Sequence, residues 1–467
     1  MSDVTAPDGG RGLSSRLSEL LFRPVDIASL VAFRIIFGGC MLYESIHYYV
    51  SGYLQEYLIY PQFHFKFYGF TWVRELPEPV MHIIFVAMAI AAAMVMVGAW
   101  YRIASAALAV TFSYSFLLEA TQYRNHWYLL ALLSILMAFL PAHRAASVDA
   151  RRRPAIASRV VARWPVLLIQ VQLGLVYFFA GVAKLSGDWI SGSSMRAIVR
   201  ELPSQDPEQI AFLLQDWVIA LFVWSGLLFD LLIAFALAHP RTRKLAYIGA
   251  AGFHITNGTF LVAVGVFPWF MLMASSIYFA PSWPRTLLNR IGWTDFAADE
   301  GGGALPGSGH RRWVVGLLSV HLAIQLFLPL RQHLPIYDGP TSWTHEGHRW
   351  AWRMKMISKR VDSFSLWSVD PDTGARVDLT PNVTQGLRPF QREIMARQPD
   401  LLLQFAHDLH DQLRERFGKE YPIYADVVVR LNGRPPMPLI DSTRDLSREE
   451  WTLGAAEFIA PMARTRY

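Results

Sequence analysis

Cysteine is nearly absent: Cys40 is the single one in 467 residues, and it lies inside the first apolar stretch. No intramolecular disulfide can form, so an outward-facing domain has to fold without one. The short motifs of nucleotide and zinc chemistry are also missing, with no GxxxxGK[ST], no GxGxxG after a strand, no HExxH and no CxxC. A nucleotide-binding protein or zinc hydrolase therefore has little support, and no metal-ligand set is expected. No internal repeat of the transporter kind is visible, which disfavours that class. Charge is scarce as well, at 17% of residues. The opening MSDVTAPDGGRGLSSRLSELLF lacks a short apolar core followed by a small-residue cleavage site. The expectation is no cleaved signal peptide, with the first apolar span acting as the targeting element.

What the chain has instead is apolar surface: 53% hydrophobic residues and 13% aromatic. That composition marks a polytopic membrane protein. Stretches of membrane-crossing length fall near 27–50, 79–99, 103–120, 126–142, 165–184, 211–237, 245–263, 265–281 and 312–330, about nine in all. The net charge of +6 sits mostly in short loops, so it reports topology rather than a nucleic-acid partner. With Arg11, Arg16 and Arg23 inside, the loops after even-numbered spans should be basic. They carry Arg102, then Arg144, Arg151, Arg152, Arg153, Arg159 and Arg163, then Arg241, Arg243 and Lys244, then Arg285 and Arg290. The expected organisation is a cytoplasmic segment 1–26, a multi-pass region 27–330 and an outward-facing region 331–467 in a cell (inner) membrane.

The loop 51–78 is rich in aromatics and holds His64 and Lys66. An interfacial amphipathic segment and a lid over an apolar ligand are both open readings. After 331, RWAWRMKMI, FSLWSV and ARVDL read as short strands between Asp-Pro and Gly turns. Residues 388–416 carry Phe390, Ile394, Leu401, Leu402, Phe405, Leu409 and Leu413 at helical spacing, and ADVVVRLNG resumes a strand. The fold class expected is therefore a mainly α membrane protein followed by a small α+β domain.

Polar groups at membrane depth carry the chemistry, because an unpaired charge there costs several kcal/mol. The stretch VYFFAGVAKLSGDWISGSSM delivers one lysine, Lys184, at the end of an apolar run. Its ammonium must snorkel to water, pair, or lose its proton. Glu119, Arg124, Asn125 and His126 surround the turn between the third and fourth spans; Asp230 lies in the sixth; His254 and Asn257 share a face of the seventh. Structural readings stand beside the functional ones: Asp230 paired with Arg241 or Arg243, and His254 with Asn257 as interhelical hydrogen-bonding glue.

FRIIFGG, NHWYLLALLS, VYFFAGVAKLSGDWISGSSM, FHITNGTFLVAVGVFPWFMLMASS, SWPRTLL and RLNGRPPMPLIDSTRDL together resemble the vitamin K-dependent gamma-carboxylase family, within the horizontally transferred transmembrane domain superfamily. The resemblance implies an enzyme that couples oxygenation of reduced vitamin K, or of menaquinol in a bacterial membrane, to carboxylation of a peptide glutamate, with O2 and CO2 as co-substrates. By the family mechanism a lysine base deprotonates the hydroquinone, oxygen converts its anion to a strongly basic alkoxide, and the glutamate carbanion formed by loss of a γ-proton captures CO2. It places the base at Lys184, with Asn125 and His126 at the quinone oxygen, and His254, Asn257, Trp189 and Tyr177 lining the cofactor pocket. Ala183 stands where animal members carry a second lysine, and the outer region is shorter than theirs. The partners implied are a bilayer quinone or lipid and a glutamate-containing peptide. A hydroquinone epoxidase without carboxylation, and a non-enzymatic quinone- or lipid-binding membrane protein, stay open as alternatives.

Overall fold

A computed structural model describes residues 13–202, 206–260, 265–292, 308–354 and 357–462. Six helices among the described residues are long and apolar enough to cross a membrane: Ala28–Val50, Glu78–Val97, Tyr101–Leu118, Trp164–Ala183, Asp216–Ala238 and Arg311–His333. Three of the nine expected spans fall short of that standard. Asn125–Phe139 is apolar but 15 residues long, about 22 Å of helix against roughly 30 Å of hydrocarbon. Arg243–Phe260 opens on Arg243 and Lys244 and carries His254 and Asn257. The expected eighth span is a helix of only 8 residues, Phe267–Ala274, that tightens into a 3₁₀ turn at Ser275–Tyr278. Residues 261–264, within the expected seventh span, lie outside the described residues.

Local chemistry sets the joints between these helices. Glu78–Val97 ends at Gly98 in the left-handed conformation, φ 69°. A Cβ there would meet Ser147 Cβ at 2.5 Å and the Arg34 guanidinium at 2.8 Å, so only glycine fits. Arg34 is itself fully buried in the first span and donates to the carbonyls of Ala142 at 2.9 Å and Ala146 at 2.7 Å. Its charge is met by backbone left unpaired just beyond the Asn125–Phe139 helix. A two-stranded antiparallel ribbon, β1 (Pro24–Asp26) with β2 (Val160–Ala162), ties the N-terminal segment to the entry of the Trp164–Ala183 helix.

The C-terminal region folds as an antiparallel sheet in the order β4-β3-β5-β6, built from β3 (Lys359–Val369), β4 (Arg376–Asp378), β5 (Ile423–Leu431) and β6 (Met437–Pro438). Ile423, Ala425, Val427, Val429 and Leu431 alternate into its core. There they meet Leu401, Leu402, Phe405 and Leu409 of the Pro399–Phe417 helix. The single helix expected over 388–416 is two, Pro389–Met395 and Pro399–Phe417, because Pro399 restarts the chain. The stretch RWAWRMKMI expected as a strand is turns at 349–352, and 355–356 lie outside the described residues.

Part of the aromatic loop 51–78 packs into the C-terminal domain. Phe65 and Phe67 are fully buried within the C-terminal domain's own core. Gln404 clamps the Lys66 backbone from both sides, accepting from its N–H at 2.8 Å and donating to its carbonyl at 3.2 Å. The loop is therefore the seam between membrane region and domain. Phe65 and Phe67 are buried against protein, while Tyr60, Tyr68 and Trp72 are exposed.

Beside this seam, burial and the neighbouring Lys359 push the His345 imidazole well below its ordinary value of 6.5. Burial and Arg349 do the same for His348. Both rings are neutral in the folded state, whereas the unfolded chain takes up protons as pH falls through about 6.5. The unfolded state then binds more protons, so stability drops on acidification. The unfolding midpoint of the C-terminal domain, followed by tryptophan fluorescence, should fall between pH 7 and pH 5. A His345→Gln/His348→Gln variant should show a shallower fall.

Candidate functional site

Gly181 is the residue on which the site is built. A Cβ at this position would sit 2.7 Å from the backbone nitrogen of Leu231, so the Trp164–Ala183 and Asp216–Ala238 helices touch backbone to backbone. Small residues at such crossings are the usual way helices approach closely in a bilayer. Lys184 closes the first helix as its C-cap, one turn past the contact, and Asp230 immediately precedes Leu231. The amine and carboxylate meet at 2.5 Å, with Lys184 only 5% and Asp230 4% exposed. The Ala180 carbonyl accepts a second, longer bond from the same amine at 3.4 Å. Trp189 covers it, the ammonium lying 5.1 Å from the indole centroid. The indole N–H is tied to the Val223 carbonyl at 3.1 Å.

This pairing corrects the assignment of Asp230 to Arg241 or Arg243. Arg241 lies eleven residues on, about 16 Å along a helix axis. Arg243 turns back instead to the carbonyls of Leu237 and Ala238, satisfying the end of that helix. Of the three options open to Lys184, the structure takes pairing.

A second polar group lies two turns up the lysine helix. Tyr177 hydroxyl meets His254 Nε2 at 2.7 Å and Ser275 Oγ at 3.2 Å, all three residues buried. Phe229, next to Asp230, packs edge-on against Tyr177 and His254 and stacks on Phe253. Tyr177 and Lys184 thus lie two turns apart on one helix, and the adjacent Phe229 and Asp230 of the second helix contact them in turn. Asn257 is half-buried three residues beyond His254.

Asn125 and His126 are placed elsewhere. Asn125 accepts from the Tyr123 hydroxyl at 3.0 Å and donates to the Arg353 carbonyl at 2.7 Å, at the seam with the C-terminal domain. His126 packs against Phe267 at 5.3 Å between ring centroids. Phe267 opens the short helix whose far end leads to Ser275. None of the contacts of Asn125 or His126 among the described residues reaches Lys184.

Sequence reasoning named Glu119 without its partners and gave Asp188 no role. Glu119, buried beside His64 at 3.2 Å, accepts from Gln391 of the C-terminal domain at 3.0 Å. Asp188, four residues after Lys184, is held bidentately by Arg434, at 2.7 Å through one oxygen, while Asn432 donates at 2.7 Å. Burial alone would push the Asp188 carboxyl up, but the hydrogen bonds from Arg434 and Asn432 hold it below its ordinary value. The signal for it was in plain sight: Asn432-Gly433 is a hairpin turn, and Arg434 follows it. A chain of side chains inside the bundle was also unforeseen: His321 to Gln172 at 2.9 Å, Gln172 to Gln325 at 3.4 Å, Gln325 to the Tyr128 hydroxyl at 3.1 Å. His321 and Gln325, four apart on one helix face, were its legible trace.

Fold and site together define a multi-pass helical membrane protein in which a buried lysine–aspartate pair lies under a tryptophan and beneath a docked α+β domain. Comparison with known families finds the HTTM domain over residues 22–283, more than half of the chain. It also finds the vitamin K-dependent gamma-carboxylase lumenal domain over residues 310–465. The chain belongs to the vitamin K-dependent gamma-carboxylase family and is a gamma-carboxylase-like membrane protein. No solved structure matches it.

A buried ion pair is costly to break from one side, because the orphaned charge has no water to turn to; losing one partner costs about 3–5 kcal/mol. Asp230→Ala and Lys184→Met should each lower the thermal midpoint in detergent sharply. The double variant should be less destabilised than the two added together. Additive losses would mean that the two groups are not coupled.

Proposed function

We propose that this chain is an integral membrane gamma-glutamyl carboxylase-like enzyme that couples oxygenation of reduced vitamin K or menaquinol to carboxylation of a peptide glutamate. The observation carrying the proposal is the Lys184–Asp230 pair, sealed under Trp189 at the end of the bundle facing the C-terminal domain. It is supported by the family to which both parts of the chain belong. A bound hydroquinone supplies an acidic ring hydroxyl and the electrons that reduce oxygen. Trp189, Tyr177 and Phe229 are the aromatic side chains that would lie against its ring.

The pair acts as one base. Lys184 accepts a proton from a substrate hydroxyl while Asp230 takes one from Lys184. Asp230 ends as a neutral acid and Lys184 as an ammonium beside the negative charge the hydroxyl leaves behind. Asp230, hydrogen-bonded to the amine at 2.5 Å, is placed to absorb the transferred proton. Tyr177 and His254 hold the wall of the same region. Asn125 and His126 stand apart from the pair, at the domain seam and against Phe267, and take no part in this proton transfer. The C-terminal domain, on the outer side of the membrane, presents the glutamate, with O2 and CO2 arriving as dissolved gases.

Purified protein in lipid nanodiscs, given hydroquinone, a glutamate peptide and labelled bicarbonate, should form quinone epoxide and incorporate label. Lys184→Met should lose epoxide formation by roughly 10²–10⁴-fold, the range expected of a general base. Asp230→Asn should lose a comparable amount. Epoxide without label would leave an epoxidase that does not carboxylate. Quinone binding with no oxygen consumption would make the protein a binder.

A further inference from the structure

Three features outside the proton-accepting pair draw attention. The seam around His345, His348 and Arg349 encloses a small cavity of about 90 Å³. A groove beside Arg23 and Arg311 opens at the opposite end of the bundle. The third is the grip of the C-terminal domain on the segment that follows Lys184, and its geometry leads furthest.

Lys184, Asp188 and Trp189 lie within six residues of chain. Between them Leu185 N–H returns to the Val182 carbonyl, and Trp189 and Ile190 N–H to the Ser186 carbonyl, so only the Leu185–Ser186 step separates two hydrogen-bonded turns. On the one-turn helix Gly187–Ile190, neighbouring side chains diverge by about 100°. Asp188 points to the C-terminal domain and Trp189 to Val223 and the Lys184 ammonium. The other end of the lever is equally rigid. Asn432, at φ 51°, exchanges backbone and side-chain hydrogen bonds with Ser358, at 2.8 and 3.0 Å. This locks the Asn432-Gly433-Arg434 turn to the start of β3. Arg360 of β3 then reaches Glu201 at 2.8 Å, a second tether to the far end of the same segment. Gly226 lies below the lever, where an added Cβ would come into ordinary contact with the Trp189 ring at 3.5 Å and with Lys184 Cε at 4.0 Å.

We infer that Arg434 is a positioning residue for the Lys184–Asp230 pair, acting through Asp188 and Trp189, so that the pair is sealed only while the C-terminal domain is docked. The inference rests on the proposed role of the pair as a base, but the seal itself is independent of any chemistry. It gives the C-terminal domain a direct mechanical hold on the membrane site. Whatever displaces the Asn432–Arg434 turn frees Trp189 to open the amine to water.

The test is acetylation of the protein in nanodiscs by a short pulse of acetic anhydride, read at Lys184 by mass spectrometry. Buried Lys359 in the C-terminal domain serves as the internal control for folding. In the native chain Lys184 should label slowly. In Arg434→Ala it should label faster by roughly ten- to a hundredfold, the factor expected of losing one charge-assisted bidentate hydrogen bond, while Lys359 stays protected. Arg434→Lys should fall between them, and the exchange Asp188→Arg with Arg434→Asp should restore protection. Unchanged Lys184 labelling in Arg434→Ala with Lys359 protected overturns the inference. Should Arg434→Ala expose Lys359 as well, the exchange variant decides: recovered Lys184 protection there supports the inference, and continued labelling with Lys359 protected overturns it. Turnover separates this result from the proposed function. A lower kcat with unchanged KM in Arg434→Ala supports both, whereas altered labelling in a protein that never turns over hydroquinone upholds the seal and rejects the enzyme.

Discussion

The close crossing at Gly181 decides what the membrane region can do. With two helix backbones in contact, Lys184 and Asp230 have nowhere to go but to each other. Each is affordable in the bilayer only because of the other. A side chain at Gly181 would push the helices apart and leave two unpaired charges in place of a neutral pair. The rest of the site is arranged around that fact: the Trp189 lid, the Tyr177–His254–Ser275 group two turns deeper along the lysine helix, and the Phe229 wall beside Asp230.

The C-terminal domain is bound to the membrane region by polar contacts at several separate points. Glu119 and Gln391, Lys66 and Gln404, Tyr123 and Trp350, Asn125 and Arg353, Asp188 and Arg434, and Glu201 and Arg360 all cross the seam. Between them the aromatic loop inserts Phe65 and Phe67 into the domain's core. A purely apolar contact would hold as firmly without fixing register. Charged and hydrogen-bonded groups at fixed positions specify one docking, because each leaves a buried polar atom unpaired in any other. Asp188 is the point at which that specificity reaches the lysine.

Much of this was legible in the chain itself. The apolar spans, the polar residues within them, the α+β character of the C-terminal region and the singling out of Lys184, Trp189, Tyr177 and His254 all follow from hydropathy, periodicity and family resemblance. Helix lengths were less so. Phe267–Ala274 sits in an apolar stretch long enough to cross, and only the structure shows that the α-helix there is 8 residues long. Asp230 was visible as an intramembrane acid but given the wrong partner, since loop arginines near in sequence looked nearer than a lysine 46 residues away. The aromatic loop looked like a membrane-interface segment because aromatics serve both interfaces and domain cores.

Sequence alone determined which groups are too polar to stand unattended in a membrane, because that cost depends on residue type and hydropathic setting. It also showed which stretches are apolar enough to form the bundle. Only the tertiary structure decided who attends whom. A pairing such as Lys184 with Asp230, or Asp188 with Arg434, depends on how helices cross and where a distant hairpin turn lands, and those are set by packing across the whole chain.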